Sequence, residues 1–356
     1  MGDLRCKNLL SIFNAVPYEV PPLPDEMTSF GDEDVLLHVT ADVNLDYEVP
    51  RDDWQAIATT STQAFDNRLP RAFVDGAVSS VEIAGSVQDN MGYARSIRAG
   101  QMGAGAINLD TPTRSKISCN YVLAATTTGY TSAQIRPLRK ELSNQTNPFD
   151  LIIWEAASDS YFKSQEERDF AVHDVTVVRN RLRRRITDVM LEREQELVQD
   201  LQVPVYVDGR YVDHLPATDD QLVMGVIKSM RRRYLDIPRM QILYNLKVGE
   251  RTPGFETVAQ NTRVVSFYAR ISSVLGGATN GLVRVELGKA HFENYQQQDW
   301  ALLNSIAAHL TQLCTKDSAY RLSAVTVEPI KVIEDRIQRL FHPLERVSMR
   351  ALNVLR

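Results

Sequence analysis

Arg71-Ala-Phe-Val-Asp75-Gly76 and Val203-Pro-Val-Tyr-Val-Asp208-Gly209 are two apolar runs with one ending, Val-Asp-Gly. A buried strand delivers its side chains to a fixed edge of a sheet, and a following glycine lets the backbone turn. An acidic residue at such a strand end is where many α/β proteins carry a reactive carboxylate. Asp-Gly is also a common turn signal, so either motif alone would only mark the end of a strand. Two of them on neighbouring strands would bring two carboxylates side by side. Such a pair repels unless a proton or a divalent cation lies between its members. Asp75 and Asp208 therefore read as candidate metal ligands, and metal-dependent phosphodiester hydrolysis is the chemistry that follows.

The bulk properties set limits on this reading. With 356 residues, 44% of them hydrophobic, the chain can bury the core of one large domain or two ordinary ones. A formal net charge of −5 excludes a globally basic nucleic-acid binder, so such a partner needs a local basic groove or a second protein. Arg179-Asn-Arg-Leu-Arg-Arg-Arg185 and Arg231-Arg-Arg233 are the basic stretches, with Tyr234, Tyr244 and Phe267 as candidate stacking residues. Cys6, Cys119 and Cys314 are far apart and odd in number, which suits reduced thiols better than a zinc site or a disulfide scaffold. No apolar run approaches the ~18 residues of a membrane span and the N-terminus lacks a signal-peptide core, so a soluble, cytoplasmic protein is expected.

Along the chain, Leu4 to Phe13 reads as a short apolar helix, ended by Pro17, Pro21, Pro22 and Pro24, and residues 51–68 read as a helix around Trp54 and Ile57. From residue 71 to about 130 the pattern is that of an antiparallel meander: 73–83, 93–97, 107–109 and 118–125, with 151–154 extending it. Residues 164–201 repeat apolar residues at helical spacing without Pro or Gly. A strand follows at 203–207, then an apolar segment with one lysine over 221–230, then, after a basic loop, strands at 263–274 and 281–287, and helices at 299–315, 326–340 and 343–355. The expected organisation is an N-terminal arm over 1–64, which could contact a partner, a main domain over 65–340 and a C-terminal helix over 341–356.

In this order the pieces resemble the NurA nuclease family, over about residues 65–335. The family opens with a strand ending Val-Asp-Gly-Ser, matched by Phe73-Val-Asp75-Gly76-Ala77. A long helix bearing an acidic residue follows, then a second strand ending Asp-Gly, matched by Val207-Asp208-Gly209. Gly225-Val-Ile-Lys228, Phe267-Tyr-Ala-Arg270 and Arg284-Val-Glu286 match the family's next segments. Two departures stand out. The helix acid is usually Glu, and the match here is Asp188, off the apolar stripe at about 200° from Ile186, with Glu192 in reserve. The family's final Tyr-Pro-x-x-Leu-x-x-Ala-His is matched by Tyr320-Arg-Leu-Ser-Ala-Val-Thr-Val-Glu328, with Glu where His is expected.

The resemblance implies a ribonuclease H-like α/β fold close to the Piwi module, with a mixed central sheet flanked by helices and further helical additions. It implies Mn²⁺- or Mg²⁺-dependent cleavage of DNA, as an exonuclease resecting ends, with endonuclease action on single strands beside it. The setting would be DNA-end processing, repair or antiviral defence. The implied partners are DNA, a second copy in a homodimer and a HerA-type hexameric ATPase translocase. Asp75 would bridge two metals, Asp208 would complete one, and Asp188 and Glu328 would hold the other. Lys228 would face the scissile phosphate. The rival expectation, motivated by the two departures, is a catalytically inactive subunit that clamps DNA or the translocase.

Overall fold

The computed structural model describes residues 43–66, 68–86, 92–126, 149–216, 218, 221–228, 234–273, 280–294, 300–314 and 327–355, together with 16–17 and 142. The expected helix at Leu4–Phe13, the basic Arg231–Arg233 and the stretch from Tyr320 to Thr326 lie outside these residues. The meander consists of three long strands, β1 (Ala72–Ser86), β2 (Arg95–Asn108) and β3 (Ser115–Thr126), followed by β4 (Phe149–Trp154). Helices α1 (Gln165–Ala171) and α2 (Val175–Leu201) lead to β5 (Val205–Asp208) and β6 (Val223–Ile227). Then come α3 (Ile237–Asn245), the strands β7 (Phe255–Ala259), β8 (Thr262–Arg270) and β9 (Leu282–Gly288), and helices α4 (Lys289–Asn294), α5 (Trp300–Leu313), α6 (Glu328–Leu340) and α7 (Leu344–Leu355).

All these strands join one mixed sheet in the order β7-β8-β9-β6-β5-β1-β2-β3-β4. Strands β1, β2 and β3 are antiparallel, and β5 and β6 run parallel to β1. The path β3-β2-β1-β5-β6, with its antiparallel and parallel pairs, is the centre of the mixed sheet flanked by helices that the resemblance implied. Beyond it, β9, β8 and β7 add antiparallel strands at one side and β4 a parallel strand at the other. Helices cover both faces. Alternation along β1 sends Phe73 into a core shared with α5 and α6, and Val74 into one shared with α2. No helix of the described residues is long and apolar enough to cross a membrane.

Several local expectations change. Residues 164–201 form two helices, because the Asp174 carboxylate accepts from the N–H groups of Thr176 and Val177 and starts α2 afresh. Residues 51–68 are not one helix: 3₁₀ turns at Arg51–Asp53 and Ser61–Phe65 flank a two-residue strand. This segment is pinned from outside, by the Trp54 indole donating to Leu45 O (2.8 Å) and by antiparallel pairing of Ile57–Ala58 with Glu250–Arg251. The stretch before Arg263 is not a plain loop but carries α3 and β7. The gap left between 97 and 107 is strand. Two of its glycines make room for α6: a Cβ on Gly103 would come within 2.6 Å of Ile337, and one on Gly105 within 2.9 Å of Ile333.

Asp75-Gly76 ends no strand, since β1 runs on to Ser86. Only the second motif turns the chain, with Gly209 at φ 122°, a conformation that favours glycine. Gly225 on β6 then packs against that turn, where an added Cβ would meet Tyr211 N at 2.5 Å and Gly209 O at 2.7 Å. These are backbone atoms, so the turn after Asp208 would have to move. Gly225→Ala is expected to cost about 1–3 kcal/mol, read as a lower urea midpoint. An unchanged midpoint would show that the turn yields freely.

Candidate metal centre

The parallel register of β1 on β5 pairs Val74 with Val207, which places Asp75 and Asp208 level on adjacent strands. Alternation points both side chains to the face covered by α6. The residue across from Asp75 on β2 is Gly105, so no side chain competes for that space. Glu334 on α6 comes in over it. One carboxylate oxygen each of Asp75, Asp208 and Glu334 lies within 4.8 Å of the others. Lys228, the residue after β6, reaches the same group: its Nζ is 2.7 Å from Asp208 Oδ2 and 3.8 Å from Glu334 Oε1.

Asp75 is the most constrained member, at 5% exposure. Its Oδ1 accepts from Gly76 N (2.8 Å), while its buried Oδ2 has no hydrogen-bond partner among the described residues. Burial, and then the charges of Asp208 and Glu194, raise its carboxyl well above the usual range, against the pull of Lys228. Glu334 is also raised, by burial first, with Lys228 opposing. Burial lowers the Lys228 ammonium, but Asp208 and Asp75 outweigh it and the net shift is upward. An orphaned buried carboxylate oxygen among hard oxygen donors suits Mg²⁺ or Mn²⁺.

A fourth carboxylate approaches from the opposite face. Glu194 on α2 is buried, and its Oε1 lies 2.5 Å from where a Cβ on Gly76 would stand, so glycine is what admits it. Its Oε2 is 2.5 Å from His214 Nε2, and both side chains are almost fully covered. Burial lowers the imidazole's affinity for its proton, but the bond and charge of Glu194 reverse this and raise it.

The structure thus brings together Asp75, Asp208 and Lys228, and leaves two expected residues apart. Asp188 forms an i,i+4 ion pair with Arg184 (2.9 Å) and lines a separate cavity of about 370 Å³ with Asp159, Arg181 and Arg185. Being off the apolar stripe, it cannot face the sheet. The reserve residue, Glu192, is exposed and paired with Arg185. Glu328 is exposed at the first turn of α6. Glu334 and Glu194 each lie six residues further along the same helices, about 9 Å along the axis. The signal for Glu194 was legible: it falls on the stripe Val178, Leu182, Ile186, Met190, where a carboxylate needs a reason. Glu334 lies at the edge of the stripe Ile330, Ile333, Ile337 and is 42% exposed, so it gave no comparable signal.

The basic run on α2 is largely spent on ion pairs, Arg179 with Glu82, Arg181 with Asp159 and Arg184 with Asp188. Of the suggested stacking residues, Phe267 and Tyr234 are core, and Tyr244 is partly exposed.

The raised Asp75 carboxyl makes a pH-dependent cost. A native state that binds its proton more tightly than the unfolded chain loses stability as pH rises from the unfolded value, near 3.9, through the folded one. In EDTA at pH 8, Asp75→Asn is therefore expected to melt above the wild type, by roughly 2–4 °C, with the gap closing near pH 4. A variant that melts lower at pH 8 would contradict this electrostatic account.

No family model matches the chain, and no curated protein matches it. Among solved structures it is similar to the NurA nuclease from Sulfolobus solfataricus, at 11% identity over 84% of this chain and 86% of that one, with a TM-score of 0.35. It is also similar to an endonuclease V from Bacillus subtilis, at 13% identity over 76% of this chain and 79% of that one, with a TM-score of 0.30.

Proposed function

We propose that this protein is a Mg²⁺- or Mn²⁺-dependent deoxyribonuclease whose site is Asp75, Asp208 and Glu334, with Glu194 as a fourth carboxylate and Lys228 as its cation. The observation that carries the reading is the buried, unpartnered Oδ2 of Asp75 inside a carboxylate group that spans no more than 4.8 Å. A fold does not normally retain such an arrangement for stability, because each carboxylate raises the cost of ionising the others.

A bound divalent ion would supply Lewis acidity toward a phosphodiester and a more acidic water. The chain's own residues do the rest. Asp75 and Asp208 are fixed by the central strands, so their separation does not depend on a loop. Glu334 arrives on a helix seated by Gly103 and Gly105. His214 holds the Glu194 carboxylate in one orientation. Lys228 offers a positive charge at the group's edge, where a phosphate's developing charge would be offset. The substrate, DNA attacked from an end, and the partners, a second copy and a HerA-type hexameric ATPase, come from the sequence resemblance, as does a role in DNA-end processing or antiviral defence. Light scattering of the protein alone and with such a translocase tests the assembly.

Digestion of end-labelled linear DNA with Mn²⁺ tests the site. Asp75→Asn, Asp208→Asn, Glu334→Gln and Glu194→Gln are expected to lose on the order of a hundredfold or more in rate, more than is typical of outer-shell changes. Asp188→Asn and Glu328→Gln are expected to stay within about threefold of the wild type, since each loses at most a surface interaction. Full activity in Asp75→Asn would remove the assignment.

A further inference from the structure

Lys228 does more in this geometry than border the site. Its backbone leaves the end of β6, held between β5 and β9, so the ammonium is anchored from the sheet. Nζ lies 2.7 Å from Asp208 and 3.8 Å from Glu334, two of the three carboxylates whose oxygens converge, and its charge also acts on Asp75. The side chain is only 24% exposed. A divalent ion among these oxygens, at about 2.1 Å from each ligand, would lie within about 5 Å of that ammonium. Like charges at that separation, in a partly buried site, repel strongly.

Resting on the reading of Asp75, Asp208 and Glu334 as a metal site, we infer that Lys228 is a built-in counter-cation of that site. In the metal-free protein its ammonium neutralises Asp208 and Glu334, and a divalent ion loads only by displacing it. Loading the metal and freeing the ammonium toward solvent, where a phosphate would approach, are then one event. The metal-free site stays tolerable to the fold because one positive charge already lies among its carboxylates. The cost is a weaker hold on the metal than the carboxylates alone would give.

Calorimetric titration with MnCl₂ at pH 8, without DNA, tests this on the wild type, Lys228→Met and Lys228→Arg. Methionine keeps most of the stem and removes the charge. Lys228→Met is expected to bind Mn²⁺ about tenfold more tightly, and to melt below the wild type in EDTA but gain more on adding Mn²⁺. Lys228→Arg keeps the charge and is expected to remain within about threefold of wild-type affinity. If Lys228→Met does not fold, judged by circular dichroism, Lys228→Gln makes the same comparison. Equal or weaker Mn²⁺ binding by the uncharged variant, with binding still abolished by Asp75→Asn, would overturn the counter-cation and leave the metal site standing. No Mn²⁺ binding by the wild type would overturn both.

Discussion

The parallel pairing of β1 with β5 is the constraint on which the site depends. Backbone hydrogen bonds set the register that puts Val74 beside Val207, and the next residue on each strand is an aspartate. Phe73, Val74, Tyr206 and Val207 are fully buried around that register. A one-residue slip would turn the apolar set of either strand to the wrong face. The ladder and the core therefore hold two carboxylates together although the carboxylates themselves would move apart. The residual repulsion is met locally, by burial and neighbouring charge that make the Asp75 carboxyl hold a proton more tightly than usual and by the Lys228 ammonium.

Helices complete the site by coming unusually close to the sheet, and small residues make that possible. Gly103 and Gly105 lie under Ile337 and Ile333, which lets α6 settle until Glu334 reaches the aspartates. Gly76 does the same on the other face for Met190 and Glu194 of α2. Gly225 seats the turn that carries Asp208. Glycine in a strand weakens it intrinsically, and here the loss is offset by helix packing that a side chain would prevent. The same feature disguised β2 as a gap between two short strands.

The chain's other charges are mostly committed to structure. Arg251 with Glu48 fastens residues 43–58 to the sheet, and Arg284 with Glu286 forms a buried pair whose carboxylate also accepts from Tyr211 N, just after the Asp208 turn. Phe267-Tyr-Ala-Arg270 and Arg284-Val-Glu286, quoted for their family resemblance, are thus elements of the core and of the frame behind the site.

By itself the sequence determined the antiparallel start of the sheet, the main helices and the two strand carboxylates, Asp75 and Asp208, for which local periodicity and the ends of apolar runs suffice. The mixed central sheet and the choice of Lys228 came from the order of motifs that carries the family resemblance. Which helical carboxylates join them was decided only by tertiary structure. Asp188 and Glu328 satisfied the order of motifs, but order does not say how a helix is rotated or how far it slides along a sheet. Burial of Ile186 and Met190 turns Asp188 away and brings Glu194 in. The fit of Ile333 and Ile337 onto Gly105 and Gly103 carries Glu334, and not Glu328, over Asp75. The strand residues were legible because a strand's side-chain direction follows from its own sequence. A helix takes its rotation from what it packs against, and so the rest waited on the packed structure.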